Sequence, residues 1–361
     1  MRKTQTIQYI ILILVFTASV SFPNSEMENS FVESLAKVNP CVVGIIAEKA
    51  QIISISSTQN INSDNNSLSK RIQAQMGQTI EKVLATGVVL TTDGVILTSD
   101  AIISTASSNN IINSIQVRFD DGRLYHALPL AHDPYTQIAL LKINAQDLTR
   151  VTLGDSDGME MGSWILSISR PYGYPNSAAC GIISGKNRQI FQFKGEPLFQ
   201  TSLPGYPGSI GSPIIDLEGK MVGMIIASVK QDMWPEITLA IPSNRLASLV
   251  YRLLQEGKID RGYLGIHIDD ITQAAIKQYN LPADIQGVLI KRCVEGSPAE
   301  KGGIMPGDCL THFDGIPLRS FLDLIYQTAQ SNPGEVVTLN LLRNGKPIEI
   351  KVELGALPKR K

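Results

Sequence analysis

Residues 207–213, Pro-Gly-Ser-Ile-Gly-Ser-Pro, are the stretch in which residue types and spacing come nearest to supporting a reaction. Gly208 and Gly211 permit a tight turn and close backbone approach. In such a turn two backbone N–H groups, here those of Gly208 and Ile210, can converge on one point and hold a developing oxyanion. A nucleophile belongs at the apex of that turn. The residue there is Ile210, which carries no nucleophile and no exchangeable side-chain proton. Ser209 and Ser212 flank it, but neighbours on a tight turn direct their side chains elsewhere. The histidines are His126, His132, His267 and His312. His132 would have to reach the turn from the start of a strand, and each of the four reads as exposed or satisfied by its surroundings. No CxxC or His/Cys grouping is present, so no metal and no cofactor is expected.

The elements that would hold such a turn are short strands. The chain has 361 residues, enough for two or three domains, and 43% hydrophobic with 18% charged residues is a globular composition. A formal net charge of -1 with scattered Lys and Arg gives no electrostatic case for nucleic acid. Arg2 and Lys3 precede an apolar run over residues 9–20 and small residues Ser19 and Ser21, the order of a secretory signal over 1–22. The run is short for a membrane span, and an uncleaved anchor is the alternative. Either places the chain outside the cytoplasmic membrane, in a periplasm or cell envelope. Of the four cysteines, Cys41 and Cys180 sit in apolar runs and read as small buried residues. Cys293 and Cys309 fall in one unit and could pair, although spacing alone assigns no disulfide.

A helix over 30–37 and a strand over 42–46 come first. Residues 51–80 are polar and without apolar period, and read as a long mobile insertion. Strands are expected at 115–119, 124–129 and 138–143, with a hairpin at Asp93-Gly94 and a turn at Asp121-Gly122. A second set follows at 164–169, 181–184, 191–193, 214–215, 222–226 and 237–241. Two all-β halves of similar size suggest two barrels with a cleft between them. Ser243 reads as the N-cap of an amphipathic linker helix over 243–256, with Leu246, Leu249, Val250, Leu253 and Leu254 at helical spacing and Gly257 as its stop. Residues 260–356 form a further small α+β unit, with a helix over 320–330 and closing strands over 335–343 and 348–354 around Asn344-Gly345.

In order and spacing, the stretches ATGVVLTTDGVILTSDAII (85–103), DPYTQIALLKI (133–143), LGDSDGMEMGSWILSISRPYGYP (153–175), PGSIGSP (207–213), ITLAIPSN (237–244) and GYLGI (262–266) resemble the HtrA (Deg) family over residues 30–355. The resemblance implies a mainly β fold: a chymotrypsin-like double β-barrel over 30–258 followed by a PDZ domain over 260–356. It implies a serine endopeptidase mechanism, and it also locates the departures from that mechanism. The histidine base of the family falls at Ala101, its orienting aspartate at Gln137 and its serine at Ile210. A serine hydroxyl needs a base and the base needs a carboxylate, so a chain without all three is expected to be inactive. The oxyanion turn reads as retained because the barrel packs around it, a carbonyl or carboxylate clamp for a bound peptide being the alternative. Ser212 replaces a family glycine, and QTSL at 200–203 replaces QTDA.

The PDZ-like unit keeps the features that binding needs. Tyr263-Leu264-Gly265-Ile266 resembles the carboxylate-binding loop, whose N–H groups hold a peptide C-terminus while the following edge strand accepts the peptide as an added strand. Ile266 and Ile268 alternate along that strand; with Leu264, Phe321, Leu324 and Ile325 they would line an apolar pocket, although Leu324 and Ile325 read equally well as core. The expectation is a pseudoprotease that binds unfolded or C-terminal peptide segments as scaffold, chaperone-like holder or regulator. The resemblance further implies a homotrimer, or a mixed trimer with an active relative. An active endopeptidase using unidentified residues is the alternative, and an envelope structural protein anchored through its PDZ unit is a weaker one.

Overall fold

The computed structural model describes residues 25–54, 76–104, 110–231 and 234–358. The signal read over 1–22 and the interior of the polar insertion lie outside the described residues. A leading helix α1 (Ser25–Val38) delivers the chain into the first barrel. That barrel comprises β1 (Val42–Ser54), β2 (Met76–Val89), β3 (Val95–Ser99), β4 (Asn110–Arg118), β5 (Leu124–Asp133) and β6 (Ile138–Ile143), closed in the order β1-β2-β3-β6-β5-β4. The second comprises β7 (Trp164–Ser169), β8 (Ser177–Arg188), β9 (Leu198–Thr201), β10 (Pro213–Ile215), β11 (Met221–Gln231) and β12 (Trp234–Pro242), closed in the order β10-β11-β12-β9-β8-β7.

Each barrel has its own interior, Ile45, Ile96, Val117 and Leu141 in the first and Ile165, Ile183, Phe199 and Ile225 in the second. A third cluster runs between them. It joins Leu97, Ile138 and Leu140 of the first barrel to Leu166, Ile215 and Met224 of the second and to Leu246, Leu249 and Leu253 of helix α2 (Ser243–Glu256). Strands at this seam are buried on both faces, and β3 is buried at all five of its positions instead of at alternate ones. The helix packs against β11, β12 and also β5, so it braces both barrels rather than the second alone.

Several expectations change. The strand expected over 42–46 continues unbroken, with Val42 opposite Val88 through to Ser54 opposite Met76. The ends of the 51–80 stretch are therefore a paired ribbon: a backbone ladder propagates without needing an apolar pattern. Phe191–Phe193, expected as a strand, is a 3-10 turn, because Lys194 (φ 54°) and Gly195 (φ 72°) reverse the chain at once. The second barrel takes its remaining strand from Leu198–Thr201. Pro242, not Ser243, is the N-cap of α2, since the Ser243 hydroxyl donates to Gly154 O at 2.7 Å. Cys180 is exposed, on the outward phase of β8. Cys293 and Cys309 are both free thiols. Leu289 is the residue opposite Cys309, and Cys293 lies four residues further along the strand, roughly 13 Å away at strand rise and beyond disulfide reach.

The C-terminal unit comprises β13 (Gly262–Tyr263), β14 (Ile266–Asp269), α3 (Gln273–Gln278), β15 (Val288–Cys293), α4 (Pro298–Lys301), β16 (Cys309–Phe313), β17 (Ile316–Pro317), α5 (Phe321–Gln330), β18 (Val336–Arg343), β19 (Lys346–Glu353) and β20 (Gly355–Ala356). Its main sheet runs β14-β15-β16-β18-β19, which leaves β14 on an edge. Asn344 (φ 50°) and Gly345 (φ 76°) make the two-residue turn that matches strand twist between β18 and β19. Ser320 and Asp323 form a reciprocal capping box that starts α5.

Candidate functional site

The three positions singled out in the sequence lie along the seam between the barrels. Ala101 lies in a 3-10 turn over Asp100–Ile102, directly after β3. The Asp100 N–H donates to Gln137 O at 3.1 Å, which ties the second position to the first. Gln137 takes φ 59°, and its side-chain amide donates to Pro134 O at 2.6 Å. Ile210 comes from the other barrel, and its carbonyl accepts the Thr86 N–H at 3.0 Å. Its half-buried side chain packs against the second barrel's core.

The turn that carries Ile210 is locked by backbone contacts. Ser209 N–H donates to Tyr206 O at 2.9 Å across Pro207 and Gly208, the latter at φ 96°. This is the type II pattern, with proline then glycine at its centre. The Pro207 carbonyl accepts from Tyr172 N–H at 2.8 Å, so in a planar trans peptide the Gly208 N–H points the opposite way. A Cβ at Gly208 would sit 2.4 Å from Arg170 O, and one at Gly211 would sit 2.1 Å from Thr86 O. Gly211 is thus required by packing against the first barrel, and Gly208 by the close approach of the β7–β8 connection within the second. Ser212 is fully buried, and its Oγ has no hydrogen-bond partner among the described residues.

An aspartate-centred cluster that the sequence reading missed lies beside Ala101. Asp100 is 1% exposed; its Oδ1 pairs with His132 Nδ1 at 2.6 Å, and its Oδ2 accepts the Ser104 hydroxyl. Lys49, also buried, donates to Ala101 O at 2.7 Å and to Ser104 O, fixing the turn. The order of groups matters: the carboxylate stands between serine and histidine. A hydrolytic triad needs the imidazole in the middle, where it can take the hydroxyl proton. The hydrogen bond that His132 makes to the Asp100 carboxylate raises the His132 pKa above its ordinary 6.5 against the opposing effect of burial.

The C-terminal unit brings all eight residues named from the sequence onto one groove of about 380 Å³: Tyr263, Leu264, Gly265, Ile266, Ile268, Phe321, Leu324 and Ile325. Gly265 (φ 78°) turns the chain into edge strand β14, and a Cβ there would lie 2.4 Å from Ser297 Cβ. Leu264 and Leu324, each 3% exposed, belong to the core and form the floor, while Ile268 and Phe321, each 38% exposed, form the rim. Thr328, Ala329 and Leu357 extend the floor, and Phe191 and Lys194 of the second barrel form an outer wall. Thr328 was legible from helical spacing, seven residues after Phe321. Phe191 and Lys194 come from another domain and carried no local signal.

The wall stays in place because the two domains are bolted together. Phe191 and Phe321 meet at 6.3 Å between ring centroids. A Cβ on Gly195 would strike Leu322 O at 2.5 Å, so the 191–195 turn abuts α5 backbone to backbone. Glu196 accepts from Arg245 at 2.9 and 2.7 Å and from Gln330 of α5 at 3.3 Å.

Two closed six-strand barrels with a seam cleft, followed by a sheet with an open edge beside a helix, define a trypsin-like protease fold joined to a PDZ domain. A trypsin-like peptidase domain model matches residues 85–224, and a PDZ domain model matches 262–354. The periplasmic pH-dependent serine endoprotease DegQ of Escherichia coli is 31% identical over 371 aligned residues, covering 98% of this chain and 78% of DegQ. A probable periplasmic serine endoprotease, DegP-like, of Marinomonas sp. is 34% identical over 256 residues, covering 70% of this chain. The match spans about half of that relative's length, 54%. Among solved structures, the HtrA-type protease AlgW with a decapeptide superposes with a TM-score of 0.74 at 24% identity, covering 91% of this chain and 99% of that one. The serine endoprotease from Yersinia pestis superposes at 0.65 and 23% identity, covering 91% and 98%. The chain belongs to the HtrA/DegQ family of trypsin-like proteases with a PDZ domain.

Proposed function

We propose that this chain is a catalytically inactive member of the family, one that holds extended or C-terminal peptide segments in its PDZ groove. The observation that carries the reading is the trio Ala101, Gln137 and Ile210. A methyl, an amide and an aliphatic branch stand where hydrolysis would need a base, its carboxylate and a nucleophile. Removing even one member of such a triad leaves only about 10³–10⁴-fold acceleration over water. The Asp100-centred cluster offers no substitute, because its carboxylate occupies the middle place.

The groove supports the binding half of the reading. An open edge strand, a glycine turn before it and an apolar floor are what capture of a free carboxylate and an added strand requires. The protein then acts as a scaffold, chaperone-like holder or regulator in the cell envelope. Its basic-then-apolar leading sequence and its similarity to periplasmic serine endoproteases support that location. Among the described residues no helix is long and apolar enough to cross a membrane. Assembly follows the family resemblance: a homotrimer, or a mixed trimer with an active subunit.

The test has two arms on the full chain. A fluorophosphonate probe is expected to leave the purified protein unlabelled, and stoichiometric labelling would return the chain to the active endopeptidases. Fluorescent peptides with a free C-terminus are expected to bind at least about tenfold more tightly than their C-terminal amides, since the carboxylate makes charge-assisted hydrogen bonds. Equal affinity would remove the groove from the reading.

A further inference from the structure

The outward face of the first barrel carries an apolar row that the described residues leave open to solvent. Side chains alternate along a strand, so one face of β5 presents Leu124, His126 and Leu128 while Ala127 turns inward. The ladder to β6 then slips between Pro129 and Ala131, which leaves Leu130 without a cross-strand partner. A bulge of this kind re-aims side chains, and here Leu128, Pro129 and Leu130 all reach the surface. Leu124, Leu128 and Leu130 are 55%, 72% and 47% exposed. Single exposed leucines need no explanation, but three on one strand face mark a place of contact.

The charges framing the row are of one sign. Strands β4, β5 and β6 together carry a single carboxylate, Asp133, and it is buried against Arg261. Their cations include Arg118, directly opposite Leu124, and Lys142, directly opposite Leu128. In the β4–β5 turn Asp121 is taken by Arg123 and Asp120 by Asn39. Lys142 pairs with Asp93 of the β2–β3 hairpin at 3.3 Å, with the two side chains 39% and 54% exposed. A pair that open is worth little, so the ammonium can turn to another anion.

An apolar ridge framed by cations suits an anionic lipid surface, where leucines enter the boundary between headgroups and acyl chains while Arg and Lys meet phosphates. A second copy fits less well. A two-fold contact would bring Arg118 and Lys142 against the same cations of the partner. A stable dimer also covers roughly 800 Å² a side, far more than a row of three leucines supplies. We infer that the outer face of β5 is a peripheral docking surface for membranes that contain anionic phospholipid. It is separate from the PDZ groove and holds whether or not that groove takes a peptide.

Brominated acyl chains quench tryptophan only at close range, so a tryptophan at position 128 reports whether this face enters the bilayer, whatever the leading segment does. Full-chain Leu128→Trp and, as a reference on exposed β19, Lys351→Trp are mixed with brominated phosphatidylcholine vesicles, with and without about one-third phosphatidylglycerol. The emission each variant adds to that of the native Trp164 and Trp234 is followed. On the anionic vesicles, quenching of Leu128→Trp is expected to exceed that of Lys351→Trp by about twofold or more. Adding Leu124→Gln and Leu130→Gln to Leu128→Trp is expected to abolish the excess, which shows that the row and not the new ring drives insertion. Arg118→Gln and Lys142→Gln are each expected to weaken affinity for the anionic vesicles by about fivefold. Equal quenching at 128 and 351, or quenching at 128 that ignores phosphatidylglycerol, overturns the inference. So does a dimer in sedimentation velocity that Leu128→Gln dissolves, which would give the face to a second copy.

Discussion

Arg261 clasps Asp133 through two hydrogen bonds of 2.7 and 2.6 Å, with both side chains no more than 3% exposed. The last residue of β5 is thereby joined to the residue that opens the PDZ domain, and the Tyr135 ring lies over the guanidinium at 4.9 Å. Breaking a buried pair by removing one partner leaves a stranded charge and costs about 3–5 kcal/mol. Arg261→Ala is expected to lose stability on that scale, measured by urea denaturation. Arg261→Lys keeps the charge but loses the fork and is expected to lose less, about 1–2 kcal/mol. Equal losses would show that the guanidinium fork, and not charge, holds the joint.

Ile210 packs on the second barrel's core, so Ile210→Ser removes apolar contact and is expected to cost about 1–2 kcal/mol. The single variant has no base and is expected to stay unlabelled by fluorophosphonate. The combination Ala101→His, Gln137→Asp, Ile210→Ser is expected to recover weak labelling and peptide cleavage, because Asp100 N–H···O Gln137 already ties two of the positions together and Thr86 N–H···O Ile210 ties the third to the first barrel. Failure of the triple variant, if folded, would mean that the cleft geometry has drifted along with its chemistry.

Gly265→Ala forces a Cβ against Ser297 at a backbone angle that suits only glycine. Its cost to stability is about 1–3 kcal/mol. Peptide affinity should drop about tenfold or more as the loop's N–H groups lose their aim, read by anisotropy, with circular dichroism confirming the fold. Unchanged affinity would place the ligand elsewhere.

The raised pKa of His132 makes the Asp100 contact dependent on pH. A histidine whose folded value exceeds its unfolded one adds stability that is complete below about 6.5 and disappears as pH rises through the folded value. With its side chain 41% exposed, the contribution is solvent-screened, about 0.5 kcal/mol. His132→Gln should therefore be less stable than wild type near pH 5.5, with the gap shrinking as pH rises through the folded value. A gap that widens with pH would reverse the assigned sign.

Where local chemistry settles the backbone, the sequence was easily read: Asp93-Gly94, Asp121-Gly122 and Asn344-Gly345 turn where expected, and β6 and β7 have the expected ends. Phe191-Gln192-Phe193 misled because alternation over three residues cannot tell a strand from a tight turn; the left-handed pair after it decides. The β1–β2 ribbon was missed because ladder pairing follows its neighbour and needs no apolar pattern. In the groove, residues on β14 and α5 were legible through their periods. The partners of Asp133 and Glu196 were not, since the contacts Asp133–Arg261 and Glu196–Gln330 join residues separated by more than a hundred positions.

The free edge of β14 bears on self-association. An uncovered strand is a template on which any extended backbone can dock, including that of another copy. Here α5 runs opposite, and Phe191 and Lys194 close the outer side. A guest backbone docked on β14 lies between that strand and α5, so the same enclosure that admits it also limits further pairing from this edge.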